Sequence, residues 1–349
     1  MYIPKGAENK EPMLDICDES FIDWKLRFNK PFKSPILNDY LSKIGEEQVE
    51  EDFISTGLTE LDVTLGGGLR PGLYIIGANP GMGKTSLMLH LINNLALNKN
   101  HCLLLNLEMS PFQIATKLLS NHSYKQNLID TNYKKMSINE LSSNKTYSLN
   151  KPDIDKIVQD YNINLFKYIT VVSKSEDIMD NNAFEKCQSN YVERIETALK
   201  NYKLCNTTPI IVVDFLQLLK SKKIADDGKE LDRRLEMNEI IERLKKYSNV
   251  YNAPIILISS LSRHAYTKEV SDYDDINLNL SAFKESGSIE YQADFLAVLT
   301  EGKKISNLSG EDDKTINVTV LKTRFSAHTG ETFTLKFKSD YSYFEEIKS

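Results

Sequence analysis

The sequence predicts an α/β fold, with a mostly parallel β-sheet flanked by helices and a C-terminal antiparallel hairpin. Short apolar runs typical of strands recur along the chain, and helical patterns such as 112–119 and 235–247 separate most of them. Strands that alternate with helices are typical of a parallel sheet covered on both faces. Beyond Ile316, the chain turns at 327–330 into the alternating segment 332–337, which predicts a hairpin at the sheet edge.

The predicted elements follow one another in a simple order. A short helical turn around Leu61 and a glycine-rich turn at 66–72 lead into the first strand. The segment 121–151, which is rich in Asn, Ser, Lys and Tyr, is expected to form short surface helices or loops. The apolar runs interpreted as strands lie at 73–76, 102–105, 168–172, 209–213, 255–258, 295–299 and 316–320.

The chain is expected to have two parts, an arm or linker at 1–50 and one α/β domain at 51–349. The first part has scattered apolar positions, including the only tryptophan, Trp24, but too little apolar material for a core of its own. We expect it to dock on another surface, with a disordered tail as the alternative.

The composition limits the class of protein. Apolar residues make up 41% of the chain and charged residues 26%, and no apolar run is long enough to span a bilayer. The four cysteines show no metal-ligand spacing, so we expect reduced thiols in a cytoplasmic protein. A net charge of −6 argues against a uniformly basic surface. It leaves nucleic acid open as a ligand, because a binding channel needs only a local stripe of positive charge.

The segment 78–85, Ala-Asn-Pro-Gly-Met-Gly-Lys-Thr, lies between an apolar run and a helix-forming run. A strand, a glycine-containing loop and a helix in this order form a phosphate-binding loop, in which backbone N–H groups converge on the phosphates. Lys84 is expected to reach the outer phosphates, and the Thr85 hydroxyl is placed for Mg²⁺. Ala78 stands where the general pattern has Gly. The predicted nucleotide-binding residues are Asn79, Pro80, Gly81, Met82, Gly83, Lys84, Thr85 and Ser86.

Two carboxylates follow predicted strands. Asp214 ends the apolar run 210–213, at the edge of a parallel sheet where ligands bind, and with Thr85 it is expected to hold Mg²⁺. Its alternative role is to cap an ordinary turn. Glu108 follows the second predicted strand and precedes Ser110. It could orient and partly deprotonate an attacking water, or it could begin the next helix, and the residues alone leave both roles open.

A series of short motifs resembles the RecA-like ATPase domain of DnaB-type replicative helicases, and the motifs occur in that family's order. The motifs lie at 55–62, 80–85, 107–110, 213–218, 259–263 and 284–290. The resemblance runs from about Ile54 to about Phe344. It implies a RecA-like P-loop fold that uses ATP and Mg²⁺, and a ring, usually of six subunits, that encircles single-stranded DNA. We expect the family's N-terminal primase-binding domain to be lacking.

The resemblance also implies roles for single residues. Lys84 and Thr85 would bind phosphate and Mg²⁺, Asp214 would be the Mg²⁺ carboxylate, and Glu108 would be the catalytic base. Gln217 would sense the γ-phosphate and couple its presence to the two loops that are expected to contact DNA.

The segment 322–324 resembles the family's Lys-x-Arg hairpin. The resemblance implies that Lys322 and Arg324 reach into the adjacent subunit's site, where a guanidinium would stabilise transition-state charge only in the assembled ring. Without the resemblance, two exposed strand cations would be the simpler interpretation. Ser260 and Lys284 stand where the family usually has Gln and Arg.

DNA contacts are expected on two loops that follow strands. The predicted contacts are Lys222, Lys223, Lys229, Arg263 and Lys268. Such charge is more often a solvated surface, and nearby acidic residues dilute it. The position of the loops relative to the nucleotide site favours DNA, with salt-sensitive and sequence-tolerant binding to the backbone.

The sequence therefore favours an ATP-dependent DNA helicase or translocase that acts on single-stranded DNA as a homo-oligomeric ring. A helicase loader or a primase is a further possible partner, and no membrane is expected. One alternative is a RecA-like recombination or repair ATPase. The other is an ATP-gated assembly or signalling scaffold that does not bind DNA.

Overall fold

A computed structural model describes residues 53–173, 192–221, 232–261, 283, 287–303, 305–306 and 312–347. The predicted arm at 1–50 lies outside the described residues. The helices are α1 (Thr59–Thr64), α2 (Lys84–Leu97), α3 (Pro111–Ile129), α4 (Ile138–Ser142), α5 (Asn144–Asn164), α6 (Glu193–Leu204), α7 (Arg233–Tyr251) and α8 (Gly287–Gln292). The main strands are β1 (Gly72–Ala78), β2 (Cys102–Asn106), β3 (Ile169–Ser173), β4 (Ile210–Asp214), β5 (Pro254–Ser260) and β6 (Phe295–Glu301). They are followed by β7 (Ile305–Ser306), β8 (Asp312–Asp313), β9 (Thr315–Thr323), β10 (Thr332–Lys338) and β11 (Tyr343–Glu346).

The central sheet has nine strands in the order β11-β10-β9-β6-β1-β5-β4-β2-β3. The strands from β6 to β3 in this order are parallel, whereas β9, β10 and β11 are antiparallel to their neighbours. The parallel register pairs Ala78 with Ser260, and Asn106 with Asp214. The carboxyl ends of β1, β2, β4 and β5 therefore meet at one edge of the sheet.

The observed architecture confirms the predicted α/β class, with a parallel sheet and an antiparallel hairpin at its end. The hairpin is β9 and β10, but it is not the edge that the sequence predicts, because β11 pairs with β10 outside it. The signal for β11 is weak because this strand has four residues and follows closely on a 3₁₀ turn.

The segment 121–151 is less superficial than the sequence predicts. Helix α3 continues to Ile129, and its residues Asn121, His122 and Ser123 are buried. These polar side chains can be buried because each has a hydrogen-bond partner, either in a neighbouring helix or in α3 itself.

Two apolar cores lie on the two faces of the sheet. On one face, α2 and α3 cover the strands, with Leu91 and Ile114 among the buried side chains. On the other face, α6 and α7 pack on the sheet through residues such as Leu199 and Ile240. Among the described residues, none of the helices is long and apolar enough to cross a membrane.

Candidate functional site

The phosphate loop connects β1 to α2, as the sequence predicts. Gly81 and Gly83 have φ angles of 81° and 82°, a left-handed conformation that glycine adopts without strain. Gly83 is the N-cap of α2, and a Cβ atom there would lie 3.0 Å from the Phe337 ring. The loop therefore needs glycine at this position both for its backbone conformation and for its packing. The free N–H groups at the start of the 14-residue α2 suit an anion at this position.

A cavity of about 460 Å³ lies over this loop, at the carboxyl edge of the parallel strands. It is lined by Pro80, Gly81, Gly83, Lys84, Thr85, Ser86, Glu108, Met109, Lys117, Asp214, Phe215, Ser260, Phe337 and Ser339. Most of the predicted nucleotide-binding residues and both predicted carboxylates are in this lining. Asn79, Met82 and Gln217 are not, and Met82 packs against the apolar core instead. The cavity thus brings cations, hydroxyls and carboxylates together in one space.

Lys84 lies across its own loop, where its ammonium donates to the carbonyl oxygens of Ala78 at 2.7 Å and Asn79 at 3.0 Å. Burial lowers its pKa, and the nearby charges of Glu108 and Asp214 partly oppose this effect. The side chain is thus held at the base of the cavity. The positive charge of Lys84 would stabilise an anion bound over the loop.

Asp214 is fully buried at the end of β4. Within the described part of the chain, neither of its carboxylate oxygens has a hydrogen-bond partner of ordinary geometry. Burial raises the pKa of this carboxyl to about 6, and the nearby Thr85 hydroxyl, Lys84 and Lys117 favour its charged form. A buried carboxylate without partners is costly, and a cation would offset that cost. Carboxylate and hydroxyl oxygens are ligands that Mg²⁺ accepts, so Asp214 and Thr85 fit such an ion.

Glu108 follows β2 and is exposed to the cavity. Its alternative role, beginning the next helix, belongs to other residues. The Ser110 hydroxyl accepts from Gln113 N at 3.3 Å, and the Gln113 side chain accepts from Ser110 N at 2.9 Å. This capping box satisfies the start of α3 without Glu108. The carboxylate is therefore free to act on whatever the cavity holds.

Gln217 connects the ends of two strands. It follows β4, and its side-chain amide donates to Ser259 Oγ at 2.9 Å and to the Ser260 carbonyl oxygen at 3.2 Å, at the end of β5. Its own carbonyl oxygen accepts from Arg233 at 2.8 Å, at the start of α7. Gln217 thus lies beside the cavity and links β4, β5 and α7.

Lys322 and Arg324 lie away from the cavity of their own chain. In the antiparallel pair of β6 and β9, Thr323 is opposite Phe295, at the start of β6. The two cations are therefore at the amino end of the parallel strands, whereas the phosphate loop is at the carboxyl end. The seven residues of β1 separate the two positions, which corresponds to about 20 Å.

Both cations contact the C-terminal turn of α8. Lys322 donates to the carbonyl oxygen of Glu290 at 2.5 Å, and Arg324 donates to that of Tyr291 at 2.6 Å. Arg324 also forms an ion pair of 3.1 Å with Asp294. The cavity contains neither predicted cation.

The five predicted DNA contacts lie outside the described residues, as does Lys284. These contacts are Lys222, Lys223, Lys229, Arg263 and Lys268. The described chain stops at Ser221 and at Leu261, so both predicted loops begin within a few residues of the strand ends that Gln217 connects.

Sequence reasoning missed several residues around the cavity. Lys117 of α3 donates to Ser86 Oγ at 3.3 Å, and burial lowers its pKa. Lys314 donates to the Gly81 carbonyl oxygen at 3.3 Å. Phe337 stacks on Phe344 with ring centroids 4.5 Å apart, behind Gly83. Lys117 had a detectable signal, since it is a cation beside the buried positions of α3 and follows the motif at 107–110, which contains Glu108. The residues from the hairpin had none, because only the folded sheet brings them to the loop.

The chain matches the family model described as "DnaB-like helicase C terminal domain" over residues 54–346. A probable replicative DNA helicase of Trieres chinensis is 28% identical over 294 residues, which cover 83% of this chain and 56% of that protein. The replicative DNA helicase DnaB of Geobacillus stearothermophilus is 28% identical over 345 residues, which cover 96% of this chain and 67% of that protein. Thus, the chain spans about half to two thirds of the length of these relatives.

Two solved structures have a similar fold. One is a DnaB-like replicative helicase described with its interactions with primase, with a TM-score of 0.68 and 20% identity over 91% of this chain and 68% of that chain. The other is a separately solved ATPase domain, with a TM-score of 0.65 and 20% identity over 90% of this chain and 98% of that chain. At this identity the likeness shows a common fold.

Proposed function

The chain belongs to the family of DnaB-like helicase C-terminal domains, and we propose that it hydrolyses ATP to drive a DNA helicase along single-stranded DNA. One observation carries the proposal most directly. The cavity at the carboxyl edge of the sheet joins a phosphate loop with Lys84, Lys117, Glu108 and the unpartnered Asp214. This combination suits the binding and hydrolysis of a nucleoside triphosphate. The curated relatives named as replicative DNA helicases support DNA as the substrate of the motor.

The residues of the cavity divide the work of hydrolysis. We propose that the backbone N–H groups between Gly81 and Ser86 and the ammonium of Lys84 hold the phosphates. Thr85 and Asp214 would hold Mg²⁺, which supplies positive charge to the phosphate oxygens when it is bound. Glu108 would accept a proton from the attacking water. Lys117 is a second cation in the lining of the cavity, beside Ser86, where it would stabilise charge on the phosphates.

Gln217 would couple the nucleotide to DNA. Its side chain contacts the end of β5, and its carbonyl oxygen accepts from Arg233 at the start of α7. The predicted DNA loops begin beside both contacts, so a shift of Gln217 toward a γ-phosphate would move the segments on either side. Lys222, Lys223, Lys229, Arg263 and Lys268 are the proposed contacts to the DNA backbone.

The position of Lys322 and Arg324 supports a ring. Since they lie at the opposite end of β1 from the phosphate loop, we propose that they act on ATP bound by a neighbouring subunit. An arrangement in which each subunit completes the site of the next is heterologous, and it closes into a ring when the rotation between subunits allows. Residues 1–50 would form an arm that docks on the neighbour. A primase or a loader is the proposed protein partner, because one relative of similar fold is described with primase.

The test is the ATPase rate of the purified oligomer with and without single-stranded DNA, with the assembly measured by mass. We expect DNA to raise turnover, and DNA affinity to fall with salt with a log–log slope of about −0.7 per phosphate neutralised. Replacement of Lys222 and Lys223 by Ala should flatten that slope. Lys84→Ala is the control for contaminating ATPases. A confirmed oligomer that hydrolyses ATP without any response to DNA at low salt would contradict the helicase proposal.

A further inference from the structure

We propose that Asp294 is a positioning residue for Arg324, and that it fixes the guanidinium relative to β1 so that it can reach the neighbouring subunit's nucleotide. This inference rests on the proposed function, because it gives a role to a cation that is useful only in an assembled ring. Asp294 lies between α8 and β6 and is almost completely buried. No motif singled it out in the sequence.

The carboxylate of Asp294 joins three separate elements. One oxygen accepts from the backbone N–H of Leu73 in β1 at 2.8 Å and forms a 2.5 Å ion pair with Lys245 of α7. The other oxygen pairs with Arg324 at 3.1 Å. The β1 strand bears the phosphate loop at its other end. Asp294 therefore ties Arg324, the arginine finger that we propose reaches the next subunit, to the strand that carries the phosphate loop of its own subunit.

The backbone around Arg324 is already held by other contacts. Arg324 N donates to the Asp294 carbonyl oxygen at 2.8 Å, and Asp294 N donates to the Leu73 carbonyl oxygen at 2.9 Å. The Phe325 ring packs against Tyr74 with centroids 5.5 Å apart, and Ser326 Oγ donates to the Thr64 carbonyl oxygen at 2.6 Å. The position of the guanidinium therefore depends mainly on the rotamer of the Arg324 side chain.

Asp294 and Tyr291 restrict that side chain without covering it. The guanidinium donates through one nitrogen to the carboxylate and through another to the Tyr291 carbonyl oxygen. Its side chain is still 48% exposed. A guanidinium has five N–H donors, so it can keep these contacts and still offer donors to a phosphate. An arginine held in this way loses less conformational entropy when it reaches its target than a free one.

The Asp294→Asn variant tests whether Asp294 positions Arg324, because it leaves the residues of the phosphate loop unchanged. The amide keeps the shape and can still accept from Leu73, but it removes the charge that holds Arg324. We expect turnover to fall by about 10- to 100-fold, with the KM for ATP changed little because the phosphate loop is intact. The matched control is Lys245→Met, which removes another partner of the same carboxylate. It should lower thermal stability and keep the finger working.

Mixed oligomers locate the defect on one side of the interface. Lys84→Ala retains a finger, and Arg324→Ala retains a phosphate loop, so their mixture should recover up to about a quarter of wild-type activity if random interfaces act independently. Asp294→Asn should then recover activity with Lys84→Ala but not with Arg324→Ala. The Lys245→Met control should complement both. Demonstrated mixing of subunits by mass is part of each measurement.

Three results would overturn the inference. If Lys84→Ala and Arg324→Ala do not complement each other in mixed oligomers, catalysis across the interface fails, and the role of Asp294 fails with it. If they do, but Asp294→Asn complements Arg324→Ala as well, only the role of Asp294 is wrong. Turnover that rises in Asp294→Asn would mean that Asp294 restrains the finger from acting. Should the single variant not fold, the double variant with Lys245→Met removes the stranded ammonium, and we expect the same pattern from it.

Discussion

The two ends of strand β1 each have a buried carboxylate beside them, and the two carboxylates have opposite environments. Near the carboxyl end, both oxygens of Asp214 lack a hydrogen-bond partner among the described residues. At the amino end, Asp294 accepts from Leu73 N, Lys245 and Arg324. Both side chains are buried, so burial alone does not distinguish a ligand site from a structural contact. The hydrogen-bond partners distinguish the two, because a buried charge that the protein leaves unpaired is available to a ligand.

The contrast also separates function from stability. Near the carboxyl end of β1, which we call the open end, Asp214 has no hydrogen-bond partner among the described residues, and proteins often accept such a cost at active sites. The amino end, which we call the closed end, uses its charges to hold β1, α7 and Arg324 together. Substitutions at the two ends should therefore differ in which property they change.

The largest difference is expected between two lysines. Lys84→Ala at the open end should reduce hydrolysis to background and weaken nucleotide binding, because its ammonium lines the cavity in which we propose that the phosphates bind. Lys245→Met at the closed end should lower thermal stability instead, because it leaves Asp294 with fewer partners. Steady-state ATPase rates and thermal unfolding of both variants check this. Normal turnover in Lys84→Ala would remove the central assignment.

The next effect concerns Glu108. Glu108→Gln should bind ATP normally but hydrolyse it about 10²- to 10³-fold more slowly, because the amide keeps the shape and cannot accept a proton. Ser110→Ala is the matched control, since Ser110 starts α3. It should cost about 1 kcal/mol of stability and leave hydrolysis nearly unchanged. If Glu108→Gln instead loses ATP binding with normal turnover per bound ATP, the carboxylate has a structural role.

The two carboxylates should respond to the same substitution with opposite signs. Without Mg²⁺ and nucleotide at pH 8, Asp214→Asn should stabilise the protein, whereas Asp294→Asn should destabilise it. The pKa of Asp214 is raised to about 6 in the folded state. The penalty of its charge is therefore absent below pH 4 and grows to about 2–3 kcal/mol above pH 6.

Chemical denaturation across this pH range measures both effects. The stability gained by Asp214→Asn should shrink as the pH falls from 8 to 4. Mg²⁺ with a non-hydrolysable ATP analogue should then stabilise wild type but not Asp214→Asn. A loss of stability in Asp214→Asn at pH 8 would mean that the carboxylate has a partner in the folded protein and would end the contrast.

The smallest effect concerns a buried group that is satisfied without charge. His90 of α2 is buried between the side-chain amides of Asn94 and Asn121, and burial lowers its pKa to about 3. The unfolded chain binds a proton at this position near pH 6.5, so stability decreases as the pH falls below that value. At pH 5 the loss should be about 2 kcal/mol relative to pH 7. A His90→Gln variant should lack this component in urea titrations, and equal pH dependence of the two proteins would contradict the assignment.

Much of the site followed from local sequence because parallel strands end at one edge. Lys84, Asp214 and Glu108 each follow a recognisable strand, and their proximity was therefore predictable. Lys117 and Phe337 come from a helix face and from a distant hairpin, and only tertiary packing brings them to the loop. The capping box at Ser110 also needed the structure, because the sequence allowed Glu108 as the residue that begins the helix.

Asp294 shows the same limit at the other end of β1. Its three partners come from β1, α7 and the end of the hairpin, so no local pattern could identify it. The sheet class and the hairpin were confirmed, whereas β11 was missed. The roles of the arm at 1–50 and of the five basic loop residues stay predictions, since these residues lie outside the described part of the chain.

The stacked pair of Phe337 and Phe344 behind Gly83 has a consequence for synthesis on the ribosome. The phosphate loop is made about 250 residues before the rings that pack behind it and before Ser342, which contacts Ser86 of α2 at 3.1 Å. A nascent chain therefore has the nucleotide-binding motif long before it has the support for that motif. Since contacts between distant segments form late in folding, ATP binding should mature only after β10 and β11 have emerged and joined the sheet.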